Sequence, residues 1–185
     1  MTATLTRPGP PAAATSPAPR PAAPARELPE GHPDRHVGFT GTRNGMTTPQ
    51  AAAVRIALVR VRDLGARVFH HGDCVGADDQ AAAIAHDLGF HVVAHPPHAA
   101  RARAWGYYDE IRPPQAYLVR NRAIVDECGL VLACPATVRH ELRSGTWATI
   151  RYARGEGRRL CIVAPNGLRI DPACIGEPTS KARAR

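Results

Sequence analysis

The sequence predicts an α/β protein whose domain is a Rossmann-like three-layer sandwich with a mainly parallel sheet. Short, continuously apolar segments alternate along the chain with segments of helical periodicity. Strands of that composition are typical of a parallel sheet that is covered by helices on both faces. Glycine-containing loops follow the first two apolar segments, and ligands bind such sheets at the carboxyl ends of their strands. The fold class therefore also predicts where a ligand would bind.

The predicted elements occupy residues 36–165, a segment long enough to bury one core. The predicted strands are residues 36–39, 67–70, 90–94, 130–133 and 159–163. The predicted helices, with apolar residues at helical spacing, are residues 50–64, 78–88, 116–127 and 144–154. Residues 95–114 contain four prolines and three aromatic residues and are interpreted as an irregular insertion.

Boundary signals mark the first two helices. Thr48 precedes the first helix as an N-cap, and Pro49 suits the first helical position. Gly65 follows the last apolar residue of the first helix, and Gly89 follows the second. Both helices are therefore predicted to stop where a glycine can adopt a left-handed conformation.

The two ends of the chain differ in composition from its centre. Half of the 18 prolines fall within residues 1–33. That segment has too few large apolar residues to offset the entropy of ordering, so it is predicted to be a disordered Pro/Ala-rich tail. Residues 166–185 are interpreted as a loose C-terminal tail. Prolines interrupt every candidate signal peptide, and a transit peptide is a weaker alternative. No apolar run is long enough to span a membrane. A cytoplasmic protein is therefore expected.

Charge, cysteines and histidines narrow the function classes. The net charge is +8 and nearly all of the positive charge is arginine, which suits either attraction to phosphate or a genome rich in G and C. The five cysteines are odd in number and form no CxxC pair, so no disulfide framework is expected. Cys128, Cys134 and Cys161 lie among apolar residues and are predicted to be core residues. The nine histidines form no HExxH motif, and neither a metal site nor a cofactor is predicted.

Three loops at the predicted strand ends carry residues suited to binding an anion. They offer small residues, hydroxyl groups and backbone N–H groups close to the start of a helix. The residues concerned are Thr40, Gly41, Thr42 and Arg43 after the first strand, Gly72, Asp73, Gly76, Ala77 and Asp78 after the second, and Ser144, Gly145 and Thr146 at the start of the last helix. Glycine lets the backbone approach a phosphate closely. Neither GxGxxG nor the Walker motif GxxxxGKS/T occurs.

Simpler interpretations stay open for several residues. Each loop alone could be an ordinary turn, and Asp78 could cap the second helix rather than contact a ligand. Arg120 and Asn121 could lie on a solvated helix face, and Trp147 is more readily explained by core packing than by stacking on a base. The three loops together, on one edge of the sheet, favour a binding pocket.

The same motifs, in the same order, resemble those of the SLOG superfamily. They are Thr40-Gly-Thr-Arg43, His71-Gly-Asp-Cys-Val-Gly-Ala-Asp78, Arg120-Asn-Arg122 and Ser144-Gly-Thr146. The superfamily includes the Smf/DprA proteins, the lysine-decarboxylase-like LOG proteins and the YspA/YpsA-like proteins, and the second loop is most similar to the YspA-like branch. The resemblance covers about residues 36–164. It implies a Rossmann-like fold that binds nucleotides or nucleotide-derived ligands, and a homodimer as a candidate assembly.

By position, the resemblance assigns ligand contacts to the three loops and adds Arg120 and Asn121 on the helix before the fourth strand. LOG enzymes cleave the N-glycosidic bond of nucleoside monophosphates with a PGGxGTxxE loop and an arginine on the preceding helix, which Arg120 would match. Thr149 stands where the glutamate of that loop belongs. Threonine cannot act as a carboxylate base or stabilise an oxocarbenium-like centre, so LOG-type hydrolysis is disfavoured.

The sequence therefore favours binding of a nucleotide or nucleotide-derived small molecule, in a sensing or regulatory role, over catalysis. No catalytic residue is predicted. Two alternatives stay open. One is a nucleoside-monophosphate N-glycosidase of the LOG type, with Glu141, Asp73 or Asp78 as a substitute acid. The other is a DprA-like protein that binds nucleic acid, which the arginines of the insertion permit.

Overall fold

A computed structural model describes residues 28–170. The predicted N-terminal tail lies outside the described residues except for residues 28–33, and the predicted C-terminal tail except for residues 166–170. Leu28 is buried. At the other end the Ile170 N–H donates to the Ile162 carbonyl at 2.9 Å. These contacts extend the packed region beyond both ends of the segment 36–165.

The described chain contains six strands and four α-helices. The strands are β1 (His36–Gly41), β2 (Val68–His71), β3 (His91–Ala94), β4 (Glu110–Ile111), β5 (Leu130–Cys134) and β6 (Arg159–Ile162). The helices are α1 (Thr48–Asp63), α2 (Ala77–Asp87), α3 (Tyr117–Glu127) and α4 (Gly145–Gly155). Within residues 28–170, none of the helices has both the length and the apolar character needed to cross a bilayer. The predicted α/β class is confirmed.

All six strands pair in parallel, in the order β4-β3-β2-β1-β5-β6. The chain leaves β1 in one direction through β2 and β3, and later returns to place β5 on the other side of β1. This reversal sets the carboxyl ends of β1 and β5 side by side, which is where open α/β sheets bind ligands. The predicted parallel, Rossmann-like architecture is confirmed.

Helices cover both faces of the sheet. α1 and α2 pack on one face, around Phe39 and Phe69, and α3 and α4 pack on the other, around Val131. α3 lies so close to β1 that a Cβ at Gly38 would be 2.9 Å from the Ile124 side chain, so this strand position requires glycine. The cysteines predicted as core residues, Cys128, Cys134 and Cys161, are all buried.

Two predictions about the strands were wrong. Thr40 and Gly41 belong to β1 rather than to the loop after it, because β1 stays paired with β5 as far as Gly41 opposite Cys134. Residues 95–114 are not wholly irregular, because Glu110 and Ile111 form β4 and pair with the end of β3. β4 is too short to show an apolar run of its own.

The N-cap of α1 was predicted one residue too late. The Thr47 hydroxyl accepts from the Gln50 N–H at 3.2 Å, and the Gln50 side-chain oxygen accepts from the Thr47 N–H at 3.1 Å, which makes a capping box. Pro49 therefore takes the second helical position rather than the first. The Gln50 amide nitrogen also donates to the carbonyls of Pro135 (3.1 Å) and Val163 (3.0 Å), so this buried side chain ties the start of α1 to the ends of β5 and β6.

Candidate functional site

The three predicted loops meet at the carboxyl edge of the sheet, around the ends of β1, β2 and β5. The Thr42 carbonyl accepts from the Ala77 N–H at the start of α2, at 3.0 Å. The Thr146 hydroxyl at the start of α4 donates to the Gly41 carbonyl at 2.9 Å. The structure therefore brings the end of β1, the second loop and the start of α4 together in one place.

Two glycines allow backbone segments of this site to touch. A Cβ at Gly41 would lie 2.4 Å from the Ala77 Cβ, so β1 can end against α2 only without a side chain there. Gly76 has a φ of +98°, and a Cβ there would lie 2.3 Å from the Arg43 carbonyl oxygen. Gly76 is also the N-cap of α2, so Asp78 does not cap that helix and the simpler interpretation of Asp78 was wrong.

Arg120 of α3 is buried beneath the second loop, with 4% of its surface exposed. Its guanidinium occupies the space that a side chain at Gly72 would fill, because a Cβ there would lie 1.5 Å from Nη1. Arg120 Nη2 donates to the Cys74 Sγ at 3.2 Å, and Nη1 lies 3.8 Å from Asp78 Oδ2. Arg120 is therefore not on a solvated helix face.

The Asp78 carboxyl is a buried group in the first turn of α2. Burial raises its pKa to about 6, although Arg120 and hydrogen bonds from the backbone of Cys74, Gly72 and Gly41 lower it. A buried carboxyl that titrates near neutral pH beside an arginine is typical of functional sites. Asp78 can therefore adjust the charge of this site with pH.

Tyr117, at the start of α3, connects the two arginines of the site. The guanidinium carbon of Arg43 lies 5.1 Å, and that of Arg120 4.9 Å, from the centre of its ring. The Tyr117 hydroxyl lies 3.5 Å from the Cys74 Sγ, and hydrogen bonding with Tyr117 raises the pKa of Arg43. A Cβ at Gly145 would lie 3.3 Å from the Tyr117 ring, so the ring also packs on the start of α4. Sequence reasoning missed Tyr117, although its place three residues before Arg120 puts both on one helix face.

Asp73 serves a different purpose from the one predicted. It is fully buried, with a φ of +50°, and its carboxylate pairs with the Arg103 Nε and accepts from the Trp105 N–H at 3.2 Å. Its carbonyl accepts from the Ala104 N–H at 2.9 Å. These bonds to the insertion occupy both oxygens of the carboxylate, so Asp73 anchors the insertion instead of facing a ligand.

Asn121 links α3 to α4. Its side-chain nitrogen donates to the Thr149 hydroxyl at 2.8 Å, and Thr149 donates to the Gly145 carbonyl at 3.0 Å. Asn121 and Thr149 also border a groove of about 420 Å³ between the two helices. The groove is lined by Leu118, Asn121, Arg122, Ala148, Thr149, Arg151, Tyr152 and Gly155. Asn121 is the one predicted site residue in that lining, so the groove is distinct from the loop site.

The start of α4 offers free hydrogen-bond donors. Ser144 caps the helix, its hydroxyl accepting from the Trp147 N–H at 3.3 Å. The N–H groups of Gly145 and Thr146 have no acceptor among residues 28–170, as is usual in the first turn of a helix. With the helix dipole, these groups can hold an anion. Trp147 is buried in the core, which confirms the packing role predicted for it.

Exposed apolar side chains follow the strands that end at the site. Val75 in the second loop is 46% exposed, and Val138 and Leu142 in the loop between β5 and α4 are 55% and 79% exposed. Arg151 donates to the carbonyls of Glu141 (3.4 Å) and Leu142 (3.3 Å), which holds the second of these loops in place. A ligand with an apolar part could cover these side chains.

Comparison with known proteins identifies the fold. No protein-family model matches the sequence, and a search of curated proteins found no match. The structure is similar to DNA processing protein A (DprA) from Streptococcus pneumoniae, with a TM-score of 0.52, 22% identity and coverage of 69% of this chain. It is also similar to the molybdenum cofactor binding protein from the phototrophic bacterium Rippkaea orientalis, with a TM-score of 0.53 and 17% identity over 69% of this chain and 74% of that chain.

The match to DprA spans 49% of that chain, about half of its length. Smf/DprA proteins are among the SLOG proteins that the sequence motifs resemble. The Rossmann-like fold expected from that resemblance is therefore confirmed, and this chain shares it with the two structures.

Proposed function

We propose that this chain binds a nucleotide or nucleotide-derived ligand at the carboxyl edge of its sheet, in a sensing or regulatory role. The convergence of two arginines and two helix N-termini on one place carries the proposal. Arg43 and Arg120 both lie against the Tyr117 ring, and α2 and α4 both begin beside the end of β1. Asp78 offsets part of the charge of Arg120, and the positive potential of Arg43 and of the helix N-termini favours an anion. Planar guanidinium groups and helix N-termini both suit phosphate.

The phosphate belongs between Arg43 and the start of α4. Arg43 is exposed, whereas Arg120 is buried and already contacts Cys74 and Asp78. The free N–H groups at the start of α4 supply further donors. In this arrangement Arg43 contacts the ligand, and Arg120 contributes positive potential and holds the Tyr117 ring in place.

The exposed apolar side chains favour an organic phosphate over inorganic phosphate. Val75, Val138 and Leu142 follow the same strand ends that carry the phosphate donors. A planar base would remove apolar surface from water, at roughly 25 cal/mol per Å². A nucleotide would therefore contact both the phosphate donors and the apolar side chains, whereas inorganic phosphate would contact only the donors.

Binding fits the site better than cleavage does. The Thr149 hydroxyl, at the position of the LOG glutamate, is buried and hydrogen bonded to Asn121 and Gly145. The Asp78 carboxyl is buried beneath Arg120. Neither group is exposed where it could meet an attacking water. A module that binds a nucleotide without consuming it suits a sensing or regulatory role.

Replacing Arg43 with glutamine is expected to weaken the binding of AMP or ADP-ribose about 10- to 100-fold. Hydrogen bonds to charged groups contribute roughly 1.5–3 kcal/mol, and Arg43 would supply such bonds to the phosphate. Isothermal titration calorimetry with AMP, ADP-ribose, NAD and adenosine measures the effect. Adenosine lacks the phosphate, so its weaker binding should not change with the substitution.

Arg60→Gln is the matched control, because Arg60 is an exposed arginine of α1 outside the site. It removes the same charge and should leave nucleotide affinity unchanged. Equal loss of affinity in both variants would show that net charge, rather than a site at Arg43, attracts the ligand. No binding of any of these nucleotides at millimolar concentration would overturn the proposal.

A second candidate function, binding of single-stranded nucleic acid, rests on the insertion. Trp105 is 61% exposed with the Arg103 guanidinium 3.6 Å from its ring centre, and Tyr107 and Tyr108 are 52% and 41% exposed. Exposed aromatic rings beside arginines can stack on bases. Trp105→Ala should then weaken binding of an oligothymidylate roughly tenfold, by about 1–3 kcal/mol, in a salt titration followed by fluorescence anisotropy. Unchanged affinity in Trp105→Ala would contradict this candidate.

A further inference from the structure

Three histidines form a continuous chain on the sheet face that α3 covers. His36 Nδ1 lies 2.9 Å from His70 Nε2, and His70 Nδ1 lies 2.9 Å from His95 Nε2. Glu127, the last residue of α3, places its Oε2 3.7 Å from His70 Nδ1. His70 and His95 are buried, while the Glu127 side chain is 34% exposed. The nucleotide site proposed above uses none of these residues.

The protons in this chain can be arranged so that ring lone pairs meet at one point. A neutral imidazole carries one N–H and one lone pair. When His70 donates its Nε2–H to His36 and His95 carries its proton on Nδ1, lone pairs remain on His70 Nδ1 and His95 Nε2. These two nitrogens lie 2.9 Å apart, so a single ion could accept both lone pairs.

We propose that His70 Nδ1, His95 Nε2 and Glu127 Oε2 bind a divalent transition-metal ion such as Zn²⁺, with water in the remaining position. The three atoms all lie within 4.8 Å of one another, and two imidazoles with one carboxylate are a ligand set that Zn²⁺ accepts. Zn–N bonds of about 2.1 Å place tetrahedral ligand atoms roughly 3.4 Å apart. The distances from His70 Nδ1, 2.9 Å and 3.7 Å, lie on either side of that value.

His36 has a positioning role in this site. It accepts a hydrogen bond from His70 Nε2 in the metal-binding arrangement, which keeps the lone pair of His70 on Nδ1. Outer partners of this kind orient a ligating imidazole and select its tautomer. The histidine chain therefore supplies two metal ligands, His70 and His95, and also His36, which selects the tautomer of His70.

Arg112 competes with the ion for Glu127. Its Nη2 donates to Glu127 Oε2 at 2.9 Å, and its Nη1 pairs with Glu110. A metal ion would take the Glu127 oxygen that Arg112 now contacts, and the guanidinium repels any cation placed there. Removal of Arg112 should therefore strengthen metal binding. A merely structural role for the cluster would not produce that gain.

Full-length protein without a histidine tag tests the site in titrations with Zn²⁺ by calorimetry and with Co²⁺ by visible absorption. We expect one ion per chain and the d–d absorption bands of Co²⁺ bound by nitrogen and oxygen. Glu127→Gln should weaken Zn²⁺ binding at least tenfold, and Arg112→Gln should strengthen it severalfold. His36→Asn should weaken it about tenfold, as loss of an outer partner does.

His91→Gln is the matched control. His91 is an exposed histidine that lies 3.9 Å from Asp109 and 3.6 Å from Glu110, so it is a place where an ion could bind adventitiously. Metal affinity should not change in this variant. The proposal is overturned if the wild-type chain binds no Zn²⁺, if His91→Gln abolishes binding while Glu127→Gln does not, or if Arg112→Gln weakens binding. Because Glu127 and Arg112 are both partly exposed, their substitution tests the site without creating a cavity in the core.

Discussion

Replacing Arg120 with methionine is expected to lower the free energy of unfolding by about 3–5 kcal/mol at pH 8, the usual cost of removing one partner of a buried ion pair. The guanidinium of Arg120 fills the space above Gly72 and lies beside the buried Asp78 carboxyl. Methionine occupies much of the same volume but carries no charge. Urea unfolding at several pH values measures the loss.

The pH dependence of this loss follows from the pKa of Asp78. The folded-state pKa is about 6, above the value of 3.8 for a solvated aspartate. The folded chain therefore binds the proton more tightly than the unfolded chain, and the stability that this provides is fully present below pH 3.8 and is lost as the pH rises through about 6. Without Arg120 the pKa of Asp78 rises further, so the difference between Arg120→Met and the wild type should be small at pH 5 and large at pH 8.

Two further variants separate charge from packing at Arg120. The double variant Arg120→Met with Asp78→Asn carries no buried charge at this pair and should recover most of the stability at pH 8. Arg122→Met, an exposed position on the same helix, should change stability by less than about 0.5 kcal/mol. An equal loss in Arg120→Met at pH 5 and pH 8 would mean that packing, rather than charge, explains the effect.

Substitution of Gly76 by alanine is expected to cost about 3 kcal/mol or more of stability. A backbone conformation near a φ of +98° and a ψ of −126° is strained for any residue with a Cβ, at roughly 1–3 kcal/mol. The new Cβ would also lie 2.3 Å from the backbone oxygen of Arg43, and backbone cannot move aside as a flexible side chain can. Nucleotide affinity should fall as well, because the first loop must shift. Chemical unfolding and calorimetry measure the two effects.

Gly89→Ala is the comparison that isolates the collision at Gly76. Gly89 also has a positive φ, +78°, but a Cβ there would meet nothing within 4 Å. Its substitution should cost about 1 kcal/mol, from strain alone, and should not affect nucleotide binding. If both variants lose the same stability, the contact between Gly76 and Arg43 is not what makes glycine necessary.

The fold could be predicted from sequence because buried parallel strands must be apolar on both faces. β5 is buried at all five positions, and its run of apolar residues is correspondingly continuous. β4 could not be predicted, because Glu110 and Ile111 become a strand only by pairing with the end of β3. The extension of β1 through Gly41 was missed for a similar reason, since pairing with Cys134 continues the strand past its apolar residues.

The candidate site could be predicted where the backbone itself requires a particular residue, as at Gly41 and Gly76. It could not be predicted where the partner is distant along the chain. Asp73 was assigned to the ligand because of its loop, yet its partner is Arg103 in the insertion. Tyr117 was missed because its contact with Cys74 spans 43 positions. The histidine cluster has no sequence motif, because its members come from separate strands and their ends.

The central position of β1 has a consequence for how the chain is made. β1 lies between β2 and β5, but β5 is synthesised about 90 residues after β1, long after β2. Until residues 130–134 leave the ribosome, one edge of β1 has no neighbour, although Val37 and Phe39 of that strand belong to the core. The start of α4 emerges later still, so an N-terminal fragment that ends before residue 145 lacks one wall of the site. Release of such an incomplete chain thus yields a protein in which both the sheet and the ligand site are incomplete.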